Sequence, residues 1–195
     1  MEEIQNPVLA VIDMQKGFIN QYSNHITLNI DTLIRECRVR SIPVVFSRFF
    51  NSSGSAYETL MGWTAFQSGS ETDIVAELVQ FAEIIIDKNS YTALTRSFIE
   101  IIETNNWKTI VLCGLATESC VLKTAADAFE VGLRPIVVSD ACASDRGDEF
   151  HQAGLKILRR FIGKRQIMTT HELLDCLDVR PLTNLNSHDK LDPTV

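Results

Sequence analysis

The chain has 195 residues, 45% hydrophobic and 22% charged, enough apolar material for one large buried core. Its net charge of −7 offers no basic field to attract nucleic acid or an anionic membrane surface. No apolar run approaches the roughly 20 residues of a bilayer span, and the acidic start MEEIQ lacks the basic flank of a signal peptide, so a cytoplasmic protein is expected.

The first predicted element is a strand, PVLAVID, at residues 7–13. Its near-continuous apolar character fits a parallel sheet covered on both faces, and the later strands read the same way. A helix follows over 26–38, with Ile26, Ile30, Leu33, Ile34 and Cys37 on one face. The second strand is PVVFSR, 43–48. Residues 49–70, FFNSSGSAYETLMGWTAFQSGS, are too long for an ordinary connection and form a candidate functional loop. Residues 73–81 group Ile74, Leu78 and Phe81 as a short helix before the third strand, EIIIDK, 83–88. A helix over 97–106 carries Phe98, Ile101 and Ile102. TIVLCG, 109–114, is the fourth strand, and the helix over 118–131 presents Val121, Ala125, Ala128 and Phe129. PIVVSD, 135–140, is the fifth strand, followed by a helix over 148–161 presenting Phe150, Leu155, Leu158 and Phe161. QIMT, 166–169, is the sixth, and a last helix runs from Thr170, read as its N-cap, to Leu177. The polar tail 181–195 is read as a loose end or an arm onto a neighbour.

Strand alternating with helix predicts one α/β domain over residues 1–180, a three-layer αβα doubly wound sandwich around a mainly parallel six-stranded sheet. Ligands of such sheets bind beyond the carboxyl ends of the strands. The nine glycines include no G-x-G and no G-x-S-x-G, and there is no Walker A motif. A dinucleotide fingerprint and a serine nucleophile elbow are therefore absent.

Three strand ends carry candidate chemistry: Asp13 in VIDMQKGF, Lys88 in IIIDKNSY, and Cys120 after TIVLCGLATES. Each has a plainer reading. Asp13 can cap the following loop, Lys88 can be a solvated strand-end lysine, and Cys120 can be a packed thiol. Together they supply an acid, an ammonium and a sulfur at one edge of a parallel sheet. With Thr117 read as an N-cap, Cys120 falls in the first helical turn, where the helix dipole and a nearby lysine favour the thiolate. Exposed amides of that turn can hold an oxyanion. The five cysteines (Cys37, Cys113, Cys120, Cys142, Cys176) are odd in number and widely spaced, so they form neither a disulfide framework nor a zinc ribbon. Cys113 and Cys142 read as inert core thiols.

The arrangement resembles the isochorismatase-like cysteine hydrolases, which include nicotinamidases, N-carbamoylsarcosine amidase and ureidoacrylate amidohydrolase. The resemblance covers about residues 7–178. VIDMQKGF resembles the family's D-x-Q-x-x-F segment, DKNSYTAL its K-x-x-Y-S-A-F segment, and GLATESCVLKTAADAFEVGLRPIVVSDACAS its longest signature. Thr92 and Leu94 stand in place of the usual Ser and Phe. The resemblance implies a catalytic triad of Asp13, Lys88 and Cys120, a cis peptide at Leu115–Ala116, and an oxyanion hole of the Ala116 and Cys120 amides. It also implies a homodimer or homotetramer acting on a small-molecule substrate without a cofactor. Metal-dependent members carry D-x-H after the second strand; here Phe49 and Asn51 hold those positions, and none of His25, His151, His171 or His188 is near, so no metal site is expected. The expected reaction is C–N cleavage of a small amide, carbamoyl or ureido compound through a thioester. Two rival readings are a thiol-redox protein using Cys120, which has no obvious resolving partner unless Cys142 approaches, and a catalytically silent oligomeric binding protein.

Phe18, Trp63, Phe66 and Tyr91 are candidate pocket walls, with Arg48 and Asn51 as candidate anchors for a polar or anionic group. Arg48 can instead pair with a neighbouring acid, and Trp63 and Phe66 can pack on another subunit. His151 is read as capping or packing on its own helix.

Overall fold

The computed structural model describes residues 3–178; the tail 181–195 lies outside the described residues. Its elements are β1 (Pro7–Ile12), α1 (Ile26–Val39), β2 (Val44–Phe49), α2 (Ala56–Met61), α3 (Ala76–Val79), β3 (Ile84–Lys88), α4 (Arg96–Thr104), β4 (Thr109–Leu115), α5 (Leu122–Glu130), β5 (Arg134–Ala143), α6 (Asp148–Phe161), β6 (Ile167–Met168) and α7 (Thr170–Asp178). The six strands form one sheet in the order β3-β2-β1-β4-β5-β6, and every pairing is parallel.

The apolar strands are explained by burial on both sides. In β1, Leu9 and Val11 face one core with α1, α3 and α7, while Val8, Ala10 and Ile12 face a second core with α4, α5 and α6. Successive strand residues point to opposite faces, so a strand covered on both sides has no polar position to spare. β3 departs from this reading: it is an edge strand, and its Ile84 and Ile85 are more than a third exposed.

The chain winds outward in one direction from β1 to β2 and β3, and in the other through β4, β5 and β6. The order reverses between β1 and β4, which places the ligand crevice at their carboxyl ends. The two strands must lie very close there. Gly114, at φ 109°, pairs with Ile12, and a Cβ on it would sit 2.1 Å from the Ile12 carbonyl oxygen. Only glycine fits.

Several expectations need correction. Phe129, Phe150 and Phe161 are 54%, 49% and 51% exposed; α5 buries Thr124, Ala125 and Ala128, and α6 buries Gly154, Leu155 and Leu158, which leaves the phenylalanines on the flanks. Thr169, not Thr170, caps α7. Its hydroxyl accepts from the Glu172 amide, and the Glu172 carboxylate accepts from the Thr169 amide, a reciprocal capping box. The Thr170 amide and hydroxyl donate to Asp140. No described helix is long and apolar enough to cross a membrane.

Candidate active site

The strand ends bring the three expected side chains together. Asp13 follows β1 in a left-handed backbone conformation, φ 47°, uncommon for a residue with a side chain. Its carboxylate accepts from Ser47 Oγ at 2.6 Å through Oδ1 and faces Lys88 Nζ at 2.7 Å through Oδ2. Lys88 ends β3, paired with Phe49 of β2, two strands and about 10 Å from β1. Its side chain crosses the end of β2, with Nζ 5.2 Å from the centre of the Phe49 ring. Nζ also donates to the carbonyls of Ser90 (2.8 Å) and Tyr91 (3.2 Å) and lies 3.5 Å from Cys120 Sγ. The Asp13 and Lys88 side chains are fully enclosed, and Cys120 is 7% exposed.

Cys120 sits differently from its sequence reading. Residues Thr117–Val121 form one π-helical turn ahead of α5, and Thr117 is not its cap. The Thr117 hydroxyl instead shares a 2.7 Å hydrogen bond with His151 Nδ1 on α6. Gly154 lets α6 lie against this turn, since a Cβ there would be 2.8 Å from the Glu118 backbone. The Leu115–Ala116 peptide is cis, as the resemblance implies.

Charge at the site also differs from expectation. Burial pushes the Cys120 thiol well above its ordinary range, and the charge of Asp13 adds to this against a lowering by Lys88. Lys88 is pulled down by burial, but Asp13 and Cys120 outweigh that and leave the ammonium above its usual value. Burial and the Asp13 charge thus oppose the thiolate that Lys88 favours.

A cavity of about 540 Å³ opens over Cys120. Phe18, Trp63, Phe66 and Tyr91 line it as expected, joined by Phe49 and Tyr57. Tyr57 stands edge-on to Phe49 (5.1 Å between ring centres) and to Tyr91 (5.3 Å). Burial, then the charges of Tyr91, Cys120 and Asp13, push the Tyr57 hydroxyl up to about 12, so it is a phenol donor at neutral pH. Arg48 and Asn51 do not line the cavity. Arg48 grips Asp87 with two hydrogen bonds, 2.8 and 2.9 Å. The Asn51 side chain holds the loop, donating to the Trp63 carbonyl at 2.8 Å and accepting from Ser55 Oγ at 2.6 Å. The charged groups in the lining are Glu71, Glu118, Asp145 and Arg146. Ser144 Oγ donates to Glu118 Oε1 at 2.7 Å. Buried Gln15 donates to the Phe49 and Thr72 carbonyls and accepts from the Phe49 amide, tying β2 to the pocket wall. The Cys142 sulfur points to the Leu112 carbonyl, 3.9 Å away.

The positions at the end of β2 do not fit a metal ion. Phe49 has no donor atom, and the Asn51 amide is committed to the loop. Among the described residues no cluster of His, Cys, Asp and Glu is placed to hold one.

A model of the isochorismatase domain matches residues 7–172. The chain belongs to the isochorismatase family of hydrolases. It is 30% identical over 155 residues to nicotinamidase 3 of Arabidopsis thaliana, covering 75% of this chain and 77% of that protein. An isochorismatase-like hydrolase structure from Alkaliphilus metalliredigens superposes with a TM-score of 0.76 at 23% identity, over 87% of this chain and 97% of that one. The N-carbamoylsarcosine amidase of Thermoplasma acidophilum gives a TM-score of 0.73 at 23% identity, over 85% and 97%. These two likenesses are of fold.

Proposed function

We propose that this family member hydrolyses a C–N bond of a small amide, carbamoyl or ureido compound through a thioester on Cys120. The observation that carries the reading is the Lys88 ammonium, enclosed between the Asp13 carboxylate at 2.7 Å and the Cys120 sulfur at 3.5 Å. A buried ion pair is costly to build, and its placement beside a sulfur at a cavity floor fits catalysis better than packing.

Asp13 serves as base and acid, Lys88 as fixed charge and Cys120 as nucleophile. Asp13 removes the thiol proton as sulfur attacks the carbonyl carbon, and Lys88 holds the charge of both partners. The oxyanion is assigned to the backbone amides of Ala116 and Cys120. The C–N bond breaks as the protonated Asp13 returns its proton to the nitrogen, releasing ammonia or an amine. Water, deprotonated by Asp13, then attacks the thioester. The acid leaves, and the thiol regains its proton. Because burial and Asp13 oppose a standing thiolate, proton transfer is assigned to the attack itself.

The aromatic walls suit a flat or apolar substrate body. Three carboxylates against one guanidinium in the lining favour an uncharged or cationic body over a carboxylate-bearing one. The deciding experiment is a panel of amides and ureides assayed for ammonia release, with intact-mass detection of an acyl adduct on Cys120. An adduct absent from every turned-over substrate would overturn the thioester, and no turnover with any member would count against the activity itself.

A further inference from the structure

The turn that carries Cys120 is irregular and is held from outside. Residues Thr117–Val121 make one π-helical turn with no side-chain cap of its own. Two hydrogen bonds of 2.7 Å anchor the side chains of its first two residues, His151 Nδ1 with Thr117 Oγ1 and Ser144 Oγ to Glu118 Oε1. His151 and Gly154 stand three residues apart on α6 and so share one helix face. Gly154 allows the close backbone approach, and His151 supplies the hydrogen bond.

Burial decides the direction of that bond. Thr117 is fully buried, and His151 is the one hydrogen-bond partner of its hydroxyl among the described residues. A threonine hydroxyl brings one hydrogen to donate and lone pairs to accept. If Nδ1 carried a proton and donated, the Thr117 hydrogen would be enclosed with no acceptor, which is costly. With Thr117 donating, nothing is orphaned. Nδ1 then offers its lone pair, and the ring proton sits on Nε2.

We propose that His151 is a positioning residue for Cys120: as a neutral imidazole it accepts the Thr117 hydroxyl hydrogen and fixes the turn from which the sulfur attacks. His151 does not line the cavity over Cys120, so it acts only through the turn. Protonation makes Nδ1 a donor, reverses the bond and orphans the Thr117 hydrogen. The effect on turnover rests on the proposed amidohydrolase reading; the bond and its direction do not.

The surroundings favour the neutral ring. Burial lowers the imidazole from its ordinary value; Asp148 opposes this, and His25 and Arg159 add to it. Asp148 and Arg159 belong to α6 itself, and His25 precedes α1. The other ionisable groups around the ring are Glu118 on the turn and Tyr22, Asp140 and Cys142, which line with His151 a separate cavity of about 470 Å³. The hold is complete above pH of about 6.5, the ordinary histidine value, and is lost as pH falls through the lowered one.

Nitrogen-15 spectra of the full chain with labelled histidine test the bond directly, the His151 signals being assigned by their loss in His151→Asn. At neutral pH Nδ1 should be unprotonated and Nε2 protonated; a protonated Nδ1 overturns the proposal. Turnover tests the positioning. Thr117→Val and His151→Ala should each lower kcat about tenfold with KM within about twofold, and the double variant should be no slower than either, because all three lose the same bond. His151→Asn places an acceptor oxygen near the position of Nδ1 and does not titrate. It should return kcat to within about threefold of wild type and move the acid limb of the kcat profile to lower pH. Losses that add in the double variant, an Asn variant as slow as the Ala one, or an unmoved acid limb each overturn the proposal. If His151→Ala fails to fold, Thr117→Val, His151→Asn and the wild-type spectrum still decide. A wild type that turns over no amide defeats the proposed reaction and leaves the positioning role to be read from alkylation of Cys120 by iodoacetamide, followed by intact mass. That rate should differ from wild type by more than about threefold in Thr117→Val and return in His151→Asn. One rate in all three proteins overturns the role.

Discussion

The strand-end cluster and the 50–69 segment meet at one cavity but are built on different physics. Asp13, Lys88 and Cys120 are set by β1, β3 and β4, whose register is held by ladders on neighbouring strands. The facing wall, with Tyr57, Trp63 and Phe66, stands on a short helix and irregular chain held by the Asn51 and Gln15 side chains. The first region fixes what reaction can occur. The second fixes what is admitted to it, and it can vary without disturbing the sheet.

The largest effects should fall on the cluster. Cys120→Ala should reduce turnover to background and abolish the mass adduct. Asp13→Asn keeps the shape but removes the base, and should lower kcat by about 10²–10⁴-fold. Either variant retaining wild-type turnover would break the division between the regions. Lys88→Met tests the same cluster by stability. It leaves the Asp13 charge enclosed without its cation, and urea denaturation should show a loss of about 3–5 kcal/mol. The double variant Asp13→Leu/Lys88→Met should recover most of that loss and none of the activity. Equal stability in the single and double variants would show that the pair is not coupled.

Alkaline pH separates the regions next. Burial pushes the Cys37 thiol up to about 12, and it raises Cys113, Cys120 and Cys142 as well. In the unfolded chain these thiols ionise near their ordinary values. The unfolded state then holds fewer protons than the folded one, so the stabilisation is complete below pH of about 8.5 and is lost as pH rises towards the folded values, at up to about 1.4 kcal/mol per unit for each thiol. The 50–69 segment has no cysteine, and its raised Tyr57 phenol loses stabilisation only above pH of about 10. Hydrogen exchange at rising pH should therefore reveal weakening of the sheet core, and denaturation midpoints unchanged between pH 8 and 10.5 would contradict the assignment. Trp63→Ala, in the wall, should raise KM about tenfold, equivalent to about 1.4 kcal/mol of binding, with kcat changed far less. A fall in kcat alone would place Trp63 in the chemistry.

The same division explains what was legible in the sequence. Apolar runs buried on both faces announce parallel strands, and a parallel sheet puts all their carboxyl ends at one edge. The convergence of Asp13, Lys88 and Cys120 therefore followed from local patterns. Partners chosen by long-range packing did not. Ser47 beside Asp13, and His151 on Thr117, depend on how neighbouring strands and helices dock. At Cys120 the chain shows the lysine that favours a thiolate but not the burial and the Asp13 carboxylate that oppose it. Helix α2 was missed although its signals are local: Ser55 caps it, Glu58 accepts from the Gly54 amide, and Gly62 ends it at φ 68°. It buries no residue fully, so no apolar periodicity marked it.

Arg48 gives the smallest expected effect and the sharpest contrast between sequence and structure. Read from the chain alone, it stands at the mouth of the site and can anchor an anionic substrate. In the fold it lies at the register position opposite Asp87 and is engaged locally, through two N–H groups to that carboxylate and by the Phe50 ring 5.1 Å away. A guanidinium so held stands outside the cavity lining. Arg48→Ala should therefore leave KM within about twofold for any substrate and cost about 0.2–1 kcal/mol of stability, the range of a partly exposed ion pair. Arg146, the cation that does line the cavity, provides the comparison: Arg146→Ala should change the ratio of KM values between a carboxylate-bearing amide and its uncharged analogue. If Arg48→Ala shifts that ratio and Arg146→Ala does not, the Arg48–Asp87 pair opens in solution and strand register, not the cavity wall, sets the charge preference.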